Sequence, residues 1–493
     1  MKGYDTLAAV DMGSNSFRLE VVRVSGDQLY PLDSLKETVR LAGGLDDEKK
    51  LDDATQAIAL ACLQRFGERL RGLAPEAVRC VGTSALRVAK NAPAFIRQAE
   101  IALGHPIEIV AGREEARLIY LGVAHSLPAS DDKRLVVDIG GGSTELIIGQ
   151  GLAPSEGESL HMGCVNFSQR FFAKGVIDKL ALKAAEVTAR AEVERVAKKF
   201  SKQNWQQAIG SSGTARALRE ILEQNGLSKS GITAEGLEKL RSLLIKAEHS
   251  DALELTGLRN DRRPVIAGGF AIMAGLFAEL GIEHMAVAET AMREGILYDL
   301  LGRFHQQDMR EVTVDEFMRR YHIDTEQARR VSRLALMLWS STGIDNEHDV
   351  RFLDWAARLH EIGLSVSHSG YQRHAGYILE NADMPGFSRS DQARLALLTR
   401  AQRGVLLKVP EFSAAGASLS DHDRLLVWLL RQAVILCRSR ADPDLSAMKV
   451  EVTGKRIRLI LPEGWLENRP LTQRALEEEA VHWHAVGIKY LFA

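Results

Sequence analysis

Two short segments of the sequence place an aspartate directly before a loop of glycine and serine, a combination that suits phosphate binding. Leu7 to Val22 and Leu135 to Gly149 each contain an apolar run, Asp-x-Gly, a small polar loop and a second apolar run. Each pattern predicts a strand, a tight loop and a strand, and the backbone N–H groups of such a loop can converge on an anion. The residues expected to contact phosphate are Gly13, Ser14, Asn15, Ser16, Gly140, Gly141, Gly142 and Ser143.

The two segments are copies of one another. Asp11 aligns with Asp138, and Ser16 with Ser143, at a constant offset of 127 residues. An ordinary glycine-rich turn would explain one such loop, but two loops in register, each led by Asp, favour a duplicated binding element. Because a hairpin cannot bury its own apolar faces, each copy is expected to open a larger α/β lobe, with a cleft between the lobes.

Asp11 and Asp138 are expected at the floor of that cleft. A carboxylate that faces phosphate oxygens is repelled by them unless a divalent cation lies between. Mg²⁺ prefers oxygen ligands, retained waters and substrate phosphates, so we predict that these two aspartates bind Mg²⁺. The alternative for each aspartate is an Asx turn or a loop cap.

Composition and charge restrict the class of protein. The 493 residues predict three or four domains, and the formal net charge of −2 provides no overall field for duplex nucleic acid or an anionic membrane. The four cysteines stand far apart without a CxxC pair, which excludes a thiolate zinc site and favours the reducing cytoplasm. We expect no signal peptide and no integral membrane segment, because the most apolar window, Val265 to Ala278, is shorter than a spanning helix.

Local patterns divide the chain into four expected domains. Strand and helix patterns alternate through the first 305 residues, which indicates α/β structure. Long amphipathic helices dominate the next region, and a final strand pair followed by a helix indicates a small α+β domain. We predict a first lobe over residues 1–120, a second lobe over 121–305, a helical domain over 306–440 and an α+β domain over 441–493.

Motifs along nearly the whole chain resemble those of one enzyme family. They include AAVDMGSNSFR, VGTSALRVAKNA, GREEARLIYLGV, LVVDIGGGSTELIIG, IGSSGTARAL, AMREGILYDLLGRF and LHEIGLSVSHSGYQRHAGYIL. The aspartate-led hairpins resemble those of actin, hexokinase and the heat-shock ATPases, and the full set is similar to the exopolyphosphatase/guanosine pentaphosphate phosphohydrolase (Ppx/GppA) family, especially bacterial exopolyphosphatase. The resemblance implies two actin/hexokinase-like (ribonuclease H-like) lobes with a cleft, an all-helical HD-like domain and a small α+β C-terminal domain.

The resemblance also implies roles for individual residues. Glu115, the second carboxylate of the GREEAR motif, matches the family's catalytic glutamate and is expected to act as the general base that deprotonates water. Arg87 matches an arginine that grips phosphate. From the residues alone, Glu114 and Glu115 are explained equally by the preference of acids for a helix N-terminus, and Arg87 by an exposed helix position.

Several further features complete the expected site. Ser212, Gly213 and Thr214 could add hydroxyl and amide donors for phosphate, although a helix N-cap explains them equally well. Arg293 and Glu294 are expected to form a buried ion pair with a structural role.

The family resemblance implies a homodimer and leaves room for K⁺ as an activator beside Mg²⁺.

The helical domain is expected to lack a catalytic metal. His360-Glu361 stands where HD enzymes carry His-Asp, and the helix in which an upstream histidine would be sought contains none. The cations of this domain are almost all arginines, which suits bidentate contacts to phosphate, although solvated helix faces are the commoner explanation. The candidate track for a long phosphate chain consists of Arg319, Arg320, Arg329, Arg330 and Arg333.

The leading functional hypothesis is an exopolyphosphatase that removes terminal phosphates processively from inorganic polyphosphate. The close alternative is hydrolysis of guanosine pentaphosphate, alone or in addition. A more distant alternative is a sugar or acetate-type kinase, for which ATP is expected near Gly268 and Gly269. A non-enzymatic sensor of nucleotide or polyphosphate would require Glu115 to be dispensable.

Overall fold

The computed structural model describes residues 4–26, 28–128, 130–304, 308–412, 419–442 and 448–492. The chain divides into two compact units, Met1–Met309 and Arg310–Ala493. The domain boundary predicted between residues 305 and 306 lies outside the described residues.

The first unit opens with a five-stranded sheet and its covering helices. In chain order these are β1 (Thr6–Met12), β2 (Ser16–Ser25), β3 (Gln28–Thr38), α1 (Asp53–Leu70), β4 (Val78–Gly82), α2 (Ser84–Val88), α3 (Ala92–Leu103), β5 (Ile107–Ile109) and α4 (Gly112–Ser126). The strand order is β3-β2-β1-β4-β5, in which the first three strands are antiparallel and β4 and β5 run parallel to β1. β1 is apolar and buried from Leu7 to Val10, as expected for a strand covered on both faces.

A second sheet repeats this topology. Its elements are β6 (Lys133–Ile139), β7 (Thr144–Gln150), β8 (Ala153–Leu160), α5 (Cys164–Phe171), α6 (Lys179–Glu194), α7 (Ala197–Phe200), β9 (Gln207–Ser211), α8 (Ser212–Gln224), β10 (Ile232–Thr233), α9 (Ala234–Ala247), α10 (Ile266–Leu280), β11 (His284–Val287) and α11 (Met292–Phe304). The strand order β8-β7-β6-β9-β11 matches that of the first sheet, with β10 added at the edge. Each sheet therefore begins with one of the two hairpins predicted from the repeat.

The hairpin registers place charged residues beside the two repeated aspartates. Asp11 on β1 lies opposite Arg18 on β2. Asp138 on β6 lies opposite Glu145 on β7. The equivalent cross-strand position is thus a cation in one lobe and a second carboxylate in the other, so the two halves of the repeat are not chemically equivalent.

Helices α4 and α11 cross at unusually short range. A methyl group on Gly122 would lie 2.0 Å from the carbonyl oxygen of Ala291, and one on Gly295 would lie 1.8 Å from that of Leu118. Only glycine permits this backbone contact. The lobe boundary predicted between residues 120 and 121 falls inside α4, the helix that carries Glu115 at its first turn.

Helix α10 is the most apolar helix of the first unit. The segment Arg263–Leu280 has the length and composition of a membrane span, but 78% of it is buried inside the protein, as in the core helix of a folded domain. A methyl group on Gly268 would meet Ser168 Oγ at 2.5 Å, and one on Gly269 would meet Thr214 Cγ2 at 2.5 Å. These two glycines therefore serve close packing, and the nucleotide site that the kinase alternative expected beside them has no space there.

The second unit is mainly helical. Its elements are α12 (Met309–Arg320), α13 (Thr325–Ser341), α14 (Glu347–Leu359), α15 (Tyr371–Asn381), α16 (Arg389–Ala401), α17 (Asp421–Leu436), β12 (Lys449–Thr453), β13 (Arg456–Ile460), α18 (Pro470–Ala485) and β14 (Lys489–Phe492). The three strands form one sheet in the order β12-β13-β14. A single hydrophobic cluster extends from Val314 to Tyr490, so the helices and the C-terminal strands share one core.

Candidate active site

A cleft in the first unit brings together the hairpin loops and the first turns of α4, α8 and α11. Its volume is about 130 Å³. The predicted site residues that line it are Asp11, Gly13, Ser14, Asn15, Ser16, Glu115, Asp138, Gly140, Gly141, Ser143, Ser212 and Gly213. Three other predicted residues, Arg87, Gly142 and Thr214, lie behind this lining rather than on it.

The two hairpin loops touch each other across the cleft. A methyl group on Gly141 would lie 3.1 Å from Ser14 Cβ, and one on Gly142 would lie 3.1 Å from both Ser14 Oγ and Ser84 Oγ. The run of three glycines therefore lies where the two loops approach closely, and a side chain there would crowd the opposite loop. Gly142 serves this contact between the lobes instead of facing the cleft.

The first turn of α4 separates the two adjacent glutamates of the GREEAR motif. Glu115 faces the cleft and is buried. Glu114 points the other way, where Arg117 binds both of its carboxylate oxygens at 2.8 Å. Adjacent residues on a helix point about 100° apart, which explains why only one of the two carboxylates reaches the cleft.

Arg87 contacts Glu115 directly. Its Nη1 donates to Glu115 Oε2 at 3.0 Å and to the carbonyl oxygen of Val110 at 2.9 Å. This arginine follows β4, and Val110 follows β5, so the contact ties the candidate base to the end of the first sheet. In this arrangement Arg87 orients the carboxylate of Glu115, in addition to any contact with phosphate.

Six of the described carboxylates line the cleft, and burial shifts the pKa values of the four deepest, Asp11, Glu115, Asp138 and Glu145, upward. Burial raises the pKa of Asp11 to about 7, although Arg18 opposes this shift. Burial raises the pKa of Asp138 to about 6. Burial also raises the pKa of Glu115, against the effect of Arg87, and raises that of Glu145 well above its usual range, with Glu115 and Asp138 adding to the shift. Burial thus disfavours the charged form of each of these carboxylates, and such raised pKa values are a common mark of a functional site.

These carboxylates fit a hard divalent cation. Within the described ranges, no three His, Cys, Asp or Glu side chains converge closely enough to hold a metal ion by themselves. Mg²⁺ is usually bound by one or two carboxylates together with substrate phosphates and water, which is the donor set that Asp11 and Asp138 offer here. Burial raises the pKa values of both residues, so a nearby cation would stabilise the charged form of each carboxylate.

Four arginines that the sequence analysis did not assign to phosphate binding also line the cleft. They are Arg18, Arg216, Arg262 and Arg293. Burial and the nearby Arg293 lower the pKa of Arg18, so these cations repel one another in the absence of an anion. Arg18 could have been found, because it is opposite Asp11 in the predicted hairpin. Arg262 could not, because it comes from a loop far along the chain.

Ser212 connects the strand β9 to the phosphate loop of the second hairpin. Its Oγ donates to the carbonyl oxygen of Ile139 at 3.0 Å, and Thr214 Oγ1 donates to the same oxygen at 2.9 Å. The backbone of Ser212 has a φ of 75°, which is rare for a residue with a side chain and is often found at functional sites. Thr214 is buried by this contact and supports the loop rather than facing the cleft.

The ion pair expected between Arg293 and Glu294 is present. Arg293 Nη2 lies 2.6 Å from Glu294 Oε1, and the guanidinium also contacts Glu20 on β2. Glu294 in turn accepts a hydrogen bond from the backbone N–H of Ala291 at 2.9 Å. Arg293 is therefore both a lining residue of the cleft and a link between the first sheet and α11.

In the second unit, His360 is buried and Glu361 binds an arginine. His360 Nδ1 donates to the carbonyl oxygen of Ala357 at 2.6 Å, and Arg440 Nη2 donates to Glu361 Oε1 at 2.8 Å. Burial lowers the pKa of His360. Asp324 accepts from the same Arg440 at 2.7 Å, so a guanidinium lies between these two acids.

The candidate arginine track is partly neutralised. Arg330 and Arg333 both pair with Asp442, at 3.2 and 3.3 Å. Arg319 and Arg329 make no ion pair within the part of the chain that the structure describes. Only part of the predicted track therefore remains available to an anionic chain.

The sequence matches two family models that together cover most of the chain. Residues 20–304 match the Ppx/GppA phosphatase family, and residues 309–480 match domain III of Ppx/GppA phosphatase. The first match begins within β2 and ends with α11, so it covers most of both sheets and follows β1 and the first hairpin loop. The second match covers most of the helical unit.

Solved structures resemble the chain over about three fifths of its length. An exopolyphosphatase from Cytophaga hutchinsonii ATCC 33406 is 24% identical, with a TM-score of 0.55, and the match covers 60% of this chain and 98% of that one. A Ppx/GppA family member from Aquifex aeolicus is 25% identical, with a TM-score of 0.51, and the match covers 61% of this chain and 98% of that one. The predicted fold class, two actin-like α/β lobes followed by a helical region, is confirmed, and the HD-like character of that region stays a prediction.

Proposed function

Because the chain belongs to the Ppx/GppA phosphatase family, we propose that this phosphatase is an exopolyphosphatase that removes terminal phosphates from inorganic polyphosphate. The observation that carries the proposal is the position of Glu115, which faces a cleft walled by two phosphate-binding loops and four arginines. A chain of phosphates carries the charge that these loops and arginines suit.

Glu115 acts as the general base in the proposed reaction. Water held beside its carboxylate gives up a proton to Glu115, and the water oxygen attacks the terminal phosphorus. The bond from that phosphorus to the bridging oxygen breaks, and the shortened chain leaves with the bonding electrons and is protonated by solvent. Burial raises the pKa of Glu115, which makes the carboxylate a stronger base than one in water.

The hairpin loops and the arginines bind the phosphates. Backbone N–H groups of Gly13 to Ser16 and Gly140 to Ser143 supply donors for the terminal group, and the arginines stabilise charge on the chain as it leaves. Asp11 and Asp138 would hold Mg²⁺, which when bound neutralises phosphate oxygens beside the carboxylates. The protein groups thus bind, orient and deprotonate, and they form no covalent bond to the substrate.

Guanosine pentaphosphate is the alternative substrate, because it presents the same unesterified phosphate end to the cleft. The family match covers both activities and does not separate them. We place polyphosphate first because the stretches YHIDTEQARRV and HSGYQRHAGYIL resemble the exopolyphosphatase branch of the family. Phosphate release from polyphosphate, guanosine pentaphosphate and ATP, measured side by side, distinguishes these substrates from each other and from a kinase.

A pair of variants tests the assignment of the base. Glu115→Gln keeps the shape of the side chain and is expected to lower kcat by about 10² or more with KM little changed. Glu114→Gln is the comparison variant, since it removes the neighbouring carboxylate that faces away from the cleft, and its loss of kcat is expected to be the smaller of the two. If Glu114→Gln lost about 10²-fold in kcat and Glu115→Gln kept the wild-type rate, the base would be wrongly assigned. Full activity of Glu115→Gln would favour a sensor over an enzyme.

We further propose that the protein is a cytoplasmic homodimer that K⁺ can activate. All four cysteines are buried and unpaired, which supports a reducing compartment. Light scattering of the purified protein tests the dimer, and phosphate release in K⁺ against Na⁺ at constant ionic strength tests the activation.

A further inference from the structure

Six charged side chains form a buried network on the side of α4 that faces away from the cleft. They link β4, β5, α4 and α11 through three arginines and three carboxylates. The members are Arg79, Glu108, Glu114, Arg117, Asp299 and Arg303.

Asp299 on α11 lies at the centre of this network. Arg79 Nη1 donates to Asp299 Oδ2 at 2.6 Å, Arg303 Nε lies 3.4 Å from the same oxygen, and Arg117 donates to Oδ1. The side chain of Asp299 is 5% exposed and that of Arg79 is 1% exposed. Every oxygen of this buried carboxylate is therefore bound by an arginine.

Arg117 joins Asp299 to the first turn of α4. It binds Asp299 on α11 and, through Nε and Nη2, both oxygens of Glu114, each at 2.8 Å. Arg79 on β4 adds a bond to Glu108 on β5 at 3.1 Å. The three positive and three negative charges of these six side chains balance.

The network lies beside the crossing of α4 and α11, which both glycines and side chains pack. α4 and α11 meet through Gly122 and Gly295, where backbone touches backbone. His125 on α4 stacks on Tyr298 on α11 at a ring-centroid distance of 3.7 Å, and the network adds charged contacts to this packing. Buried polar groups can specify one register among several, even where they add little stability.

That register determines where the candidate base stands. Glu114 points into the network and Glu115 points into the cleft, one residue apart on the same turn. α11 has Arg293 in its first turn, at the cleft, and Asp299 farther along the same helix, in the network. A rotation of α4 relative to α11 would move Glu115 with respect to Arg293 and Asp11.

We propose that Asp299 and Arg117 are positioning residues for Glu115, which hold α4 in the register that aims the base at the attacking water. The inference rests on the proposed role of Glu115. Neither residue lines the cleft. Their effect on the reaction passes through the orientation of one carboxylate.

The test combines Asp299→Asn with Glu115→Gln in a double-mutant cycle, with tripolyphosphate as substrate. Asp299→Asn alone is expected to lower kcat about 10-fold with KM changed less than about twofold, because misplacement of a base affects the chemical step. In the Glu115→Gln background the same substitution is expected to cause no further loss, since the base it positions is already absent. A purely structural role would multiply the two losses.

Two further variants keep the test decisive. Arg117→Lys retains the charge balance but cannot bridge Glu114 and Asp299, so it is expected to reproduce the loss of kcat if Asp299→Asn folds poorly. Glu479→Gln, in the second unit, removes a carboxylate that is 4% exposed and bound by the buried Arg431, and its kcat is expected to equal that of the wild type.

Wild-type kcat in both Asp299→Asn and Arg117→Lys would overturn the inference, as would multiplicative losses in the cycle. Wild-type activity in Glu115→Gln alone would instead overturn the proposed base, and the inference with it.

Discussion

The cleft of the first unit and the core of the second unit both bury carboxylates, but they treat the buried charge differently. In the second unit Glu479 accepts hydrogen bonds from Arg431 Nη2 and Trp483 Nε1, each at 2.6 Å. In the cleft, Asp11 and Asp138 have pKa values raised to about 7 and about 6, since the protein supplies too little compensation. The protein gives the buried Glu479 hydrogen-bond donors on both oxygens. It leaves the acids of the cleft with less compensation, where a ligand is expected to bind.

The comparison predicts opposite consequences for removing a buried acid from the two regions. Glu479→Gln is expected to lower the free energy of unfolding by about 3 kcal/mol, because Arg431 is left buried with less compensation, while kcat on tripolyphosphate stays unchanged. Five of the six tryptophans lie in the second unit, so denaturation followed by tryptophan fluorescence reports mainly on this region. A large fall in the kcat of Glu479→Gln would contradict the view that Glu479 has a structural role and the cleft acids a catalytic one.

Glu145→Gln tests the same comparison from the cleft. It is expected to lower kcat by about 10² because it removes a carboxylate beside Glu115 and Asp138. It is also expected to raise the melting temperature, since burial and neighbouring acids destabilise this charge. Phosphate release measures the expected fall in kcat, and calorimetry on the same preparation measures the expected rise in melting temperature. A destabilised variant would show that Glu145 is a structural acid like Glu479.

Asp138→Asn sharpens the assignment of the metal. The variant is expected to raise the Mg²⁺ concentration needed for half-maximal activity about 10-fold, because a charged ligand becomes neutral. Arg18→Gln is the control, because it removes a positive charge from the same cleft. It is expected to raise the KM for substrate and to change the Mg²⁺ titration little. Identical Mg²⁺ titrations for wild type and Asp138→Asn would remove Asp138 from the metal site.

The pH dependence of stability tests the second unit. Burial lowers the pKa of His360, so below its usual value of about 6.5 the unfolded chain takes up a proton that the folded chain does not. Stability is therefore expected to fall as the pH drops below about 6.5, by up to about 1.4 kcal/mol per pH unit for this group. His360→Gln should reduce that slope in urea titrations at pH 5 to 7 and leave kcat unchanged. An unchanged slope, or stoichiometric metal lost with His360, would contradict a packed, metal-free histidine.

The smallest expected effect concerns the strained backbone of Ser212. Both Ser212→Gly and Ser212→Ala lose the hydrogen bond to Ile139, but only glycine relieves the left-handed conformation. The glycine variant is expected to be more stable than the alanine variant by about 1 kcal/mol. Denaturant midpoints of the two variants decide this, and an advantage for alanine would show that Ser212 is not strained.

The sequence predicted the parts of the site that repeat. The alignment of Asp11 with Asp138 located both hairpins and both phosphate loops, because a strand, a glycine loop and a strand leave a local signature. The same offset of 127 residues also aligns Arg18 with Glu145, so the sequence itself contains a cation in one copy and an acid in the other. This difference marks the position at which the two lobes acquire different chemistry.

Other parts could not be predicted, because they depend on contacts between distant segments. Arg262 reaches the cleft from a loop, and Asp299 meets Arg117 from a helix 182 residues away. Glu114 and Glu115 could be told apart only by the family resemblance, since both begin the same helix. The structure adds the physical reason, which is that Arg117 and Asp299 occupy the other side of that helix.

The glycine contact between α4 and α11 also constrains how this gene can vary. A methyl group at Gly122 or Gly295 would lie 2.0 Å or 1.8 Å from a backbone oxygen, and backbone cannot move aside as a flexible side chain can. Every amino acid reachable from a glycine codon by one nucleotide change carries a Cβ atom. Stepwise mutation therefore has no tolerated route away from either glycine, and libraries made by error-prone copying should return glycine at both positions in every active clone.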